Sequence, residues 1–202
     1  MKSKTSEVLQ LGTATDPVRL SFPVLEQAKA FQEGQQAKFG AAFLMDPSNK
    51  THAALIAKLK SEIKKLALEA YDGKLPGDLK VCLTNNVNQD GTQKKAYAGY
   101  EGMYYLTANS SNRPVVVDRE RNPLAPGDAG FPYAGAYVIA TITLWAQNNK
   151  FGKRINANLR GVQFVRDGES FGRPSINVED EFEAIEDSDV KPAITSEDDI
   201  AF

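Results

Sequence analysis

Between residues 94 and 105 the chain reads KKAYAGYEGMYY, which sets Lys94 and Lys95 beside Tyr97, Tyr100, Tyr104 and Tyr105. A second set follows downstream: Arg113, Trp145, Lys150, Phe151, Lys153, Arg154 and Arg160. Cations interleaved with rings suit a flexible single strand, whose phosphates take positive charge and whose bases stack on aromatics for roughly 1–3 kcal/mol each. The competing reading is that the rings fill a core, the usual fate of large aromatics, so about half of Tyr97, Tyr100, Tyr104, Tyr105 and Trp145 are expected inside. Successive residues of a strand face opposite ways, so Tyr104 and Tyr105 cannot both point inward. Phe151, between Lys150 and Lys153 in a predicted hairpin tip, is the ring best placed to be free.

Charge is divided unevenly along the chain. Residues 179–202 hold ten acids against Lys191 alone, a charge of −9, whereas the preceding residues hold 23 Lys and Arg against 16 acids, a charge of +7. Like charge at that density resists packing, which predicts a disordered acidic tail on a cationic body that binds a polyanion. The tail closes on Asp198, Asp199, Ile200, Ala201 and Phe202. A purely solvating segment has no need of an aromatic residue there, so these five are expected to dock on a protein partner, the acids steering and the ring anchoring.

Several reaction classes are disfavoured. His52 is the only histidine and Cys82 the only cysteine, which removes multi-histidine and thiol-rich metal sites and any intramolecular disulfide. No GxxxxGK[ST] phosphate loop occurs. His52 falls at a predicted helix start, where a solvated or capping role is expected. A magnesium nuclease needs only oxygen ligands, but the acids concentrate in the tail. The expectation is a non-enzyme with no metal and no cofactor. No apolar run nears the roughly 20 residues that cross a bilayer, and residues 1–16 lack the apolar stretch of a secretory signal, so a cytoplasmic protein without a membrane partner is expected.

The elements that must position these residues are mostly strands. Val18, Leu20 and Phe22 alternate with Arg19 and Ser21, predicting a half-buried strand stopped at Pro23. A second strand is predicted over 38–45. Asp46-Pro-Ser-Asn supplies a turn and an N-cap, and Leu55, Ile56, Leu59, Ile63, Leu66 and Leu68 recur at helical spacing, predicting one helix over about 50–71. Its lysines, Lys58, Lys60, Lys64 and Lys65, read as a solvated face. After a polar loop at 85–91, strands are predicted over 96–108, 113–118, 135–147 and 155–165, the last two joined as a hairpin. Gly99, Gly102 and Gly135 are read as points of strand curvature. Strands and helices do not alternate, so the fold class expected is mainly β, a Greek-key barrel of the OB type with one substantial helix. Residues 1–16 are expected to be a flexible segment, 17–178 the domain and 179–202 the tail.

The runs YAGYEGMYYLTANSSNRPVVVDRERNPL (97–124), YAGAYVIATITLWAQNN (133–149) and LRGVQFVRDGESFG (159–172) resemble the phage-encoded single-stranded DNA-binding proteins of tailed bacteriophages. The resemblance extends from VRLSFP to the acidic tail. It implies an OB fold, cooperative or dimeric coating of single strands in replication and recombination, and a tail that docks on replication proteins. The closing DDIAF is similar to bacterial single-strand binders, with Ala201 in place of their proline, which points to a phage polymerase or helicase as partner. The rival reading is a phage structural or assembly protein that docks through its tail.

Overall fold

Inward-facing apolar residues on five strands close a barrel in the computed structural model, which describes residues 4–30, 34–149 and 152–172. The strands are β1 (Thr5–Leu11), β2 (Val18–Lys29), β3 (Lys38–Met45), β4 (Lys80–Val81), β5 (Leu83–Asn85), β6 (Tyr104–Ser110), β7 (Val115–Val117), β8 (Tyr137–Asn149) and β9 (Gly152–Arg166), and the helix α1 spans Lys50–Ala70. Pairing runs β8-β2-β3-β6-β9 and returns to β8, and within that ring only β6 and β9 run parallel. This is the strand order of an OB barrel. Val18 and Leu20, Phe43 and Met45, Leu106 and Ala108, Ile142 and Leu144, and Ile155 and Leu159 supply the interior.

The helix behaves as its periodicity predicts. Ile56, Leu59, Ile63 and Leu66 are buried, each stabilising the fold by roughly 1.5–3 kcal/mol relative to exposure. Asn49 caps the first turn, its side chain accepting from the backbone N–H groups of Thr51 and His52. Lys58, Lys60, Lys64 and Lys65 are exposed, as a solvated face requires.

Four expectations change. Residues 5–11, placed in a flexible segment, form β1, which takes the edge of β8 along Ala140–Trp145 and buries Leu9 and Leu11. Lone apolar residues among polar ones gave too weak an alternation to show it. β2 continues past Pro23 to Lys29, because the register shifts between Ser21 and Val24 and the bulge absorbs the missing N–H. His52 is buried: its Nδ1 accepts from the Asp46 N–H at 3.1 Å, which leaves the Nε2 proton to donate to the Asp16 carbonyl at 3.3 Å. The strand expected from residue 96 begins at Tyr104. Gly99 and Gly102 therefore turn a loop rather than curve a strand, both at positive φ.

Arg160 marks a further irregularity. Thr141 pairs with Gly161 and Ile142 with Leu159, so Arg160 is the extra residue of a bulge and stands exposed. The bulge lets Leu159 and Val162, an odd number of residues apart, both face inward.

Candidate nucleic-acid interface

Register alone assembles a row of side chains across the outside of the barrel. Arg166 pairs with Tyr137, Tyr137 with Arg19, Arg19 with Leu44, Leu44 with Tyr105, and Tyr105 with Thr84. Directly opposed residues share a face of the sheet, so this series crosses β9, β8, β2, β3, β6 and β5 on one side. Tyr104, one residue from Tyr105, turns the other way: Lys60 Nζ lies 3.1 Å from its hydroxyl and 4.6 Å from its ring centre.

The cations of the row are stacked. The Arg19 guanidinium lies 4.2 Å from the Phe171 ring centre and 5.5 Å from that of Tyr137, and Arg166 lies 3.7 Å over the opposite partner, Tyr137. Arg19 also donates to the carbonyls of Gly135 at 3.2 Å and Glu169 at 2.6 Å. Its orientation is thus fixed before any ligand arrives.

A loop over residues 86–103 lies beside the row. Asn86 is wholly buried and organises the loop: its Nδ2 sits 2.8 Å from the Tyr100 carbonyl, 2.9 Å from Gln93 Oε1 and 3.1 Å from the Lys95 carbonyl, and its Oδ1 accepts from the Lys95 N–H at 2.9 Å. Gly99 permits close approach, since a Cβ at its φ of +77° would fall 2.3 Å from the Phe171 ring.

This packing gathers four rings. Phe22 and Tyr97 meet edge to face at 5.0 Å and Tyr97 and Tyr100 at 5.5 Å, while Tyr100 and Tyr105 lie tilted at 5.3 Å. Tyr100 is buried and its hydroxyl reaches Ser21 Oγ at 3.3 Å, so it anchors the loop rather than offering a free face. Burial pushes its phenol pKa upward, which keeps it a neutral donor. Phe22 and Tyr97 are 57% and 48% exposed and do offer faces. Lys94 and Lys95 are exposed on the same loop, with Lys95 Nζ 5.8 Å from the Tyr97 ring centre.

Phe22 is not among the contact residues expected from the sequence, where alternation sets it in phase with Val18 and Leu20. The bulge rotates it outward, and it adopts φ +46° immediately before Pro23. That combination is sterically disfavoured for a bulky residue, and such strain collects at functional sites. The Phe-Pro dipeptide was the available signal. Arg19, Tyr137, Arg166 and Phe171 were missed too, because only cross-strand pairing makes them neighbours.

The other sequence-selected residues lie elsewhere. Lys153 and Arg154 sit near the far end of the β8–β9 hairpin, where Asn148 pairs with Lys153, at most roughly 35 Å along β8 from Tyr137 at about 3.3 Å per residue. Lys153 faces Tyr71, whose ring centre is 5.8 Å away, and the Nε of Arg154 is buried with no hydrogen-bond partner among the described residues. Trp145 is partly buried between Thr5 and Asn156. Arg113 is exposed, bonded to the Glu26 carbonyl and 6.0 Å from the Phe39 ring centre. Lys150, Phe151 and the tail residues Asp198, Asp199, Ile200, Ala201 and Phe202 lie outside the described residues.

Among the described residues no three His, Cys, Asp or Glu side chains gather as a metal would need, and no helix is long and apolar enough to cross a membrane.

Comparison with known proteins bears on the chain as a whole. Residues 12–191 match the family model described as the Enterobacter phage Enc34 single-stranded DNA-binding protein. Protein p50 of Acyrthosiphon pisum secondary endosymbiont phage 1 is 38% identical over 170 residues, covering 82% of this chain and 89% of that one. The Enc34 single-stranded DNA-binding protein, solved in complex with single-stranded DNA, superposes with a TM-score of 0.68 at 29% identity over 82% of this chain and 89% of its own. Gp2.5, a single-stranded DNA-binding protein of bacteriophage T7, shares the fold with a TM-score of 0.51 at 12% identity, over 90% of this chain and 95% of its own.

Proposed function

The chain belongs to the family of the Enterobacter phage Enc34 single-stranded DNA-binding protein, and on that premise we propose that it coats single-stranded DNA without catalysis, along the face that carries Arg166, Tyr137, Arg19 and Tyr105. The observation that carries the reading is the pair of half-exposed rings, Phe22 and Tyr97, beside stacked, pre-oriented guanidinium groups. Phosphates meet Arg19, Arg166, Lys94 and Lys95, and bases stack on Phe22, Tyr97 and Tyr105. Lys153, Arg154, Trp145, Arg113 and Arg160 serve, on this reading, only where a longer strand wraps beyond the face.

The acidic segment 179–202 completes the proposal: it recruits replication proteins such as a polymerase or helicase, and its charge of −9 competes with DNA for the cationic face. Deleting it tightens binding most at low salt, where charge is least screened. Unchanged affinity across a salt series would defeat the competition.

The deciding experiment is anisotropy of labelled single-stranded and duplex DNA of equal length at low and moderate salt. A label on the DNA is preferable to Trp145, which lies away from the face. Salt-sensitive preference for the single strand is expected. Absence of binding, with and without 179–202, overturns the reading and returns attention to an assembly role.

A further inference from the structure

A cleft of about 280 Å³ opens beside the row, a volume suited to one planar ring rather than a large ligand. Leu44 lines it, Arg19, Tyr137 and Arg166 supply cations and a ring, and Asp16 and Asp46 supply carboxylates where the chain enters α1. Charge is therefore polarised across an opening that adjoins the proposed path of the strand.

The two carboxylates differ in what they have free. Asp16 is engaged on both oxygens, with Asn49 Nδ2 at 2.8 Å from Oδ1 and Thr51 Oγ1 at 3.1 Å from Oδ2. Asp46 accepts the Ser48 N–H at 2.8 Å and the Ser48 hydroxyl at 2.7 Å, both on Oδ1, and its Oδ2 has no hydrogen bond among the described residues. Hydrogen bonds from Asn49 and Ser48 respectively hold both carboxyls below their ordinary range, so both are ionised at neutral pH.

Anionic groups repel phosphate, so what enters this cleft from a strand is a base, with its phosphate left at Arg19 or Arg166. A pyrimidine that enters by its C4 edge discriminates: cytosine gives a carboxylate a hydrogen bond from its amino group, whereas thymine turned the same way presents a carbonyl oxygen and a methyl group. We propose that this cleft is a base-selecting subsite in which Asp46 accepts a hydrogen bond from the exocyclic amino group of one base, favouring cytosine over thymine. The inference rests on the proposed path of the strand across the Arg166 to Tyr105 row.

The test compares labelled oligomers of about ten nucleotides, within the span of one OB domain: oligo-dC, oligo-dT, and oligo-dC with 2-pyrimidinone, which lacks the amino group, in place of cytosine. Full-length protein is expected to bind oligo-dC at least about fivefold more tightly than the other two, the low end for a good polar contact to a base. Asp46→Asn keeps an oxygen for Ser48 and presents an amide that serves either base, so the preference is expected to vanish. Equal binding of all three oligomers, or a preference that survives Asp46→Asn, overturns the subsite and leaves the interface standing. Failure to bind any oligomer overturns the interface itself.

Discussion

Phe22 and Tyr97 meet edge to face at 5.0 Å, one from a bulge in β2 and the other from the loop over 86–103, with Tyr100 packed behind both. Two rings brought together from 75 residues apart, each about half exposed, form a platform rather than a core contact. On the proposed reading, the strain at Phe22, with φ +46°, is tolerated for the sake of the ring's position.

Phe22→Gly separates those two roles. Relief of the left-handed backbone, roughly 1–2 kcal/mol, offsets the lost packing and the added chain entropy, so the melting temperature stays near wild type. Loss of one stacking ring weakens single-strand binding by about fivefold or more. Paired thermal melts and DNA titrations check it; a large fall in melting temperature would make Phe22 a structural residue.

Asn86→Ala removes the buried hub of the loop, strips the Lys95 N–H and carbonyl of their partner and leaves the Tyr100 carbonyl only the Met103 N–H. Each orphaned group costs about 1–3 kcal/mol, concentrated in the loop rather than the barrel. Faster proteolysis within residues 94–103 is expected, with weaker DNA binding and a cooperative barrel transition retained. Limited proteolysis with mass spectrometry reads the cut sites.

Salt dependence tests which cations meet phosphate. Each phosphate contact on a single strand contributes about −0.7 to the slope of log K against log salt. Arg166→Gln is expected to flatten the slope by about that amount, while Arg160→Gln, on the exposed bulge of β9, leaves it unchanged for a short strand.

Acid should loosen the entry to α1. Asp16 is held below the usual carboxylate range chiefly by its bond from Asn49, and Asp46 chiefly by its bonds from Ser48. A depressed folded pKa gives stability that is present above the unfolded value, about 3.9, and is lost as pH falls through the folded value. Melting temperature should therefore fall below about pH 4, and Asp16→Asn should show a smaller fall than wild type.

Cys82 offers a probe of global opening. Burial pushes its thiol pKa up to about 12, so little thiolate exists near pH 8. Modification by a thiol reagent is expected to be slow in the native protein and to accelerate only as denaturant unfolds the barrel. Rapid native labelling would show that β4 and β5, which flank Cys82, open locally.

The amino-acid sequence by itself determined what depends on near neighbours. The helix, its Asn49 cap, β3 and the β8–β9 hairpin follow from apolar periodicity and turn residues within a few positions of one another. The opposite orientation of Tyr104 and Tyr105 follows from strand geometry alone. Pairing was decided only in the folded chain. β1 has two buried leucines and becomes a strand because β8 has an edge to fill; Pro23 sits inside β2 because a bulge spares its missing N–H; Phe22 faces out because that bulge breaks the alternation. The row from Arg166 to Tyr105 draws on residues 19, 44, 105, 137 and 166, and no local pattern relates them. Side-chain period is a property of one strand, whereas register is set by the summed burial of all of them, and a binding face built across a sheet is written in register.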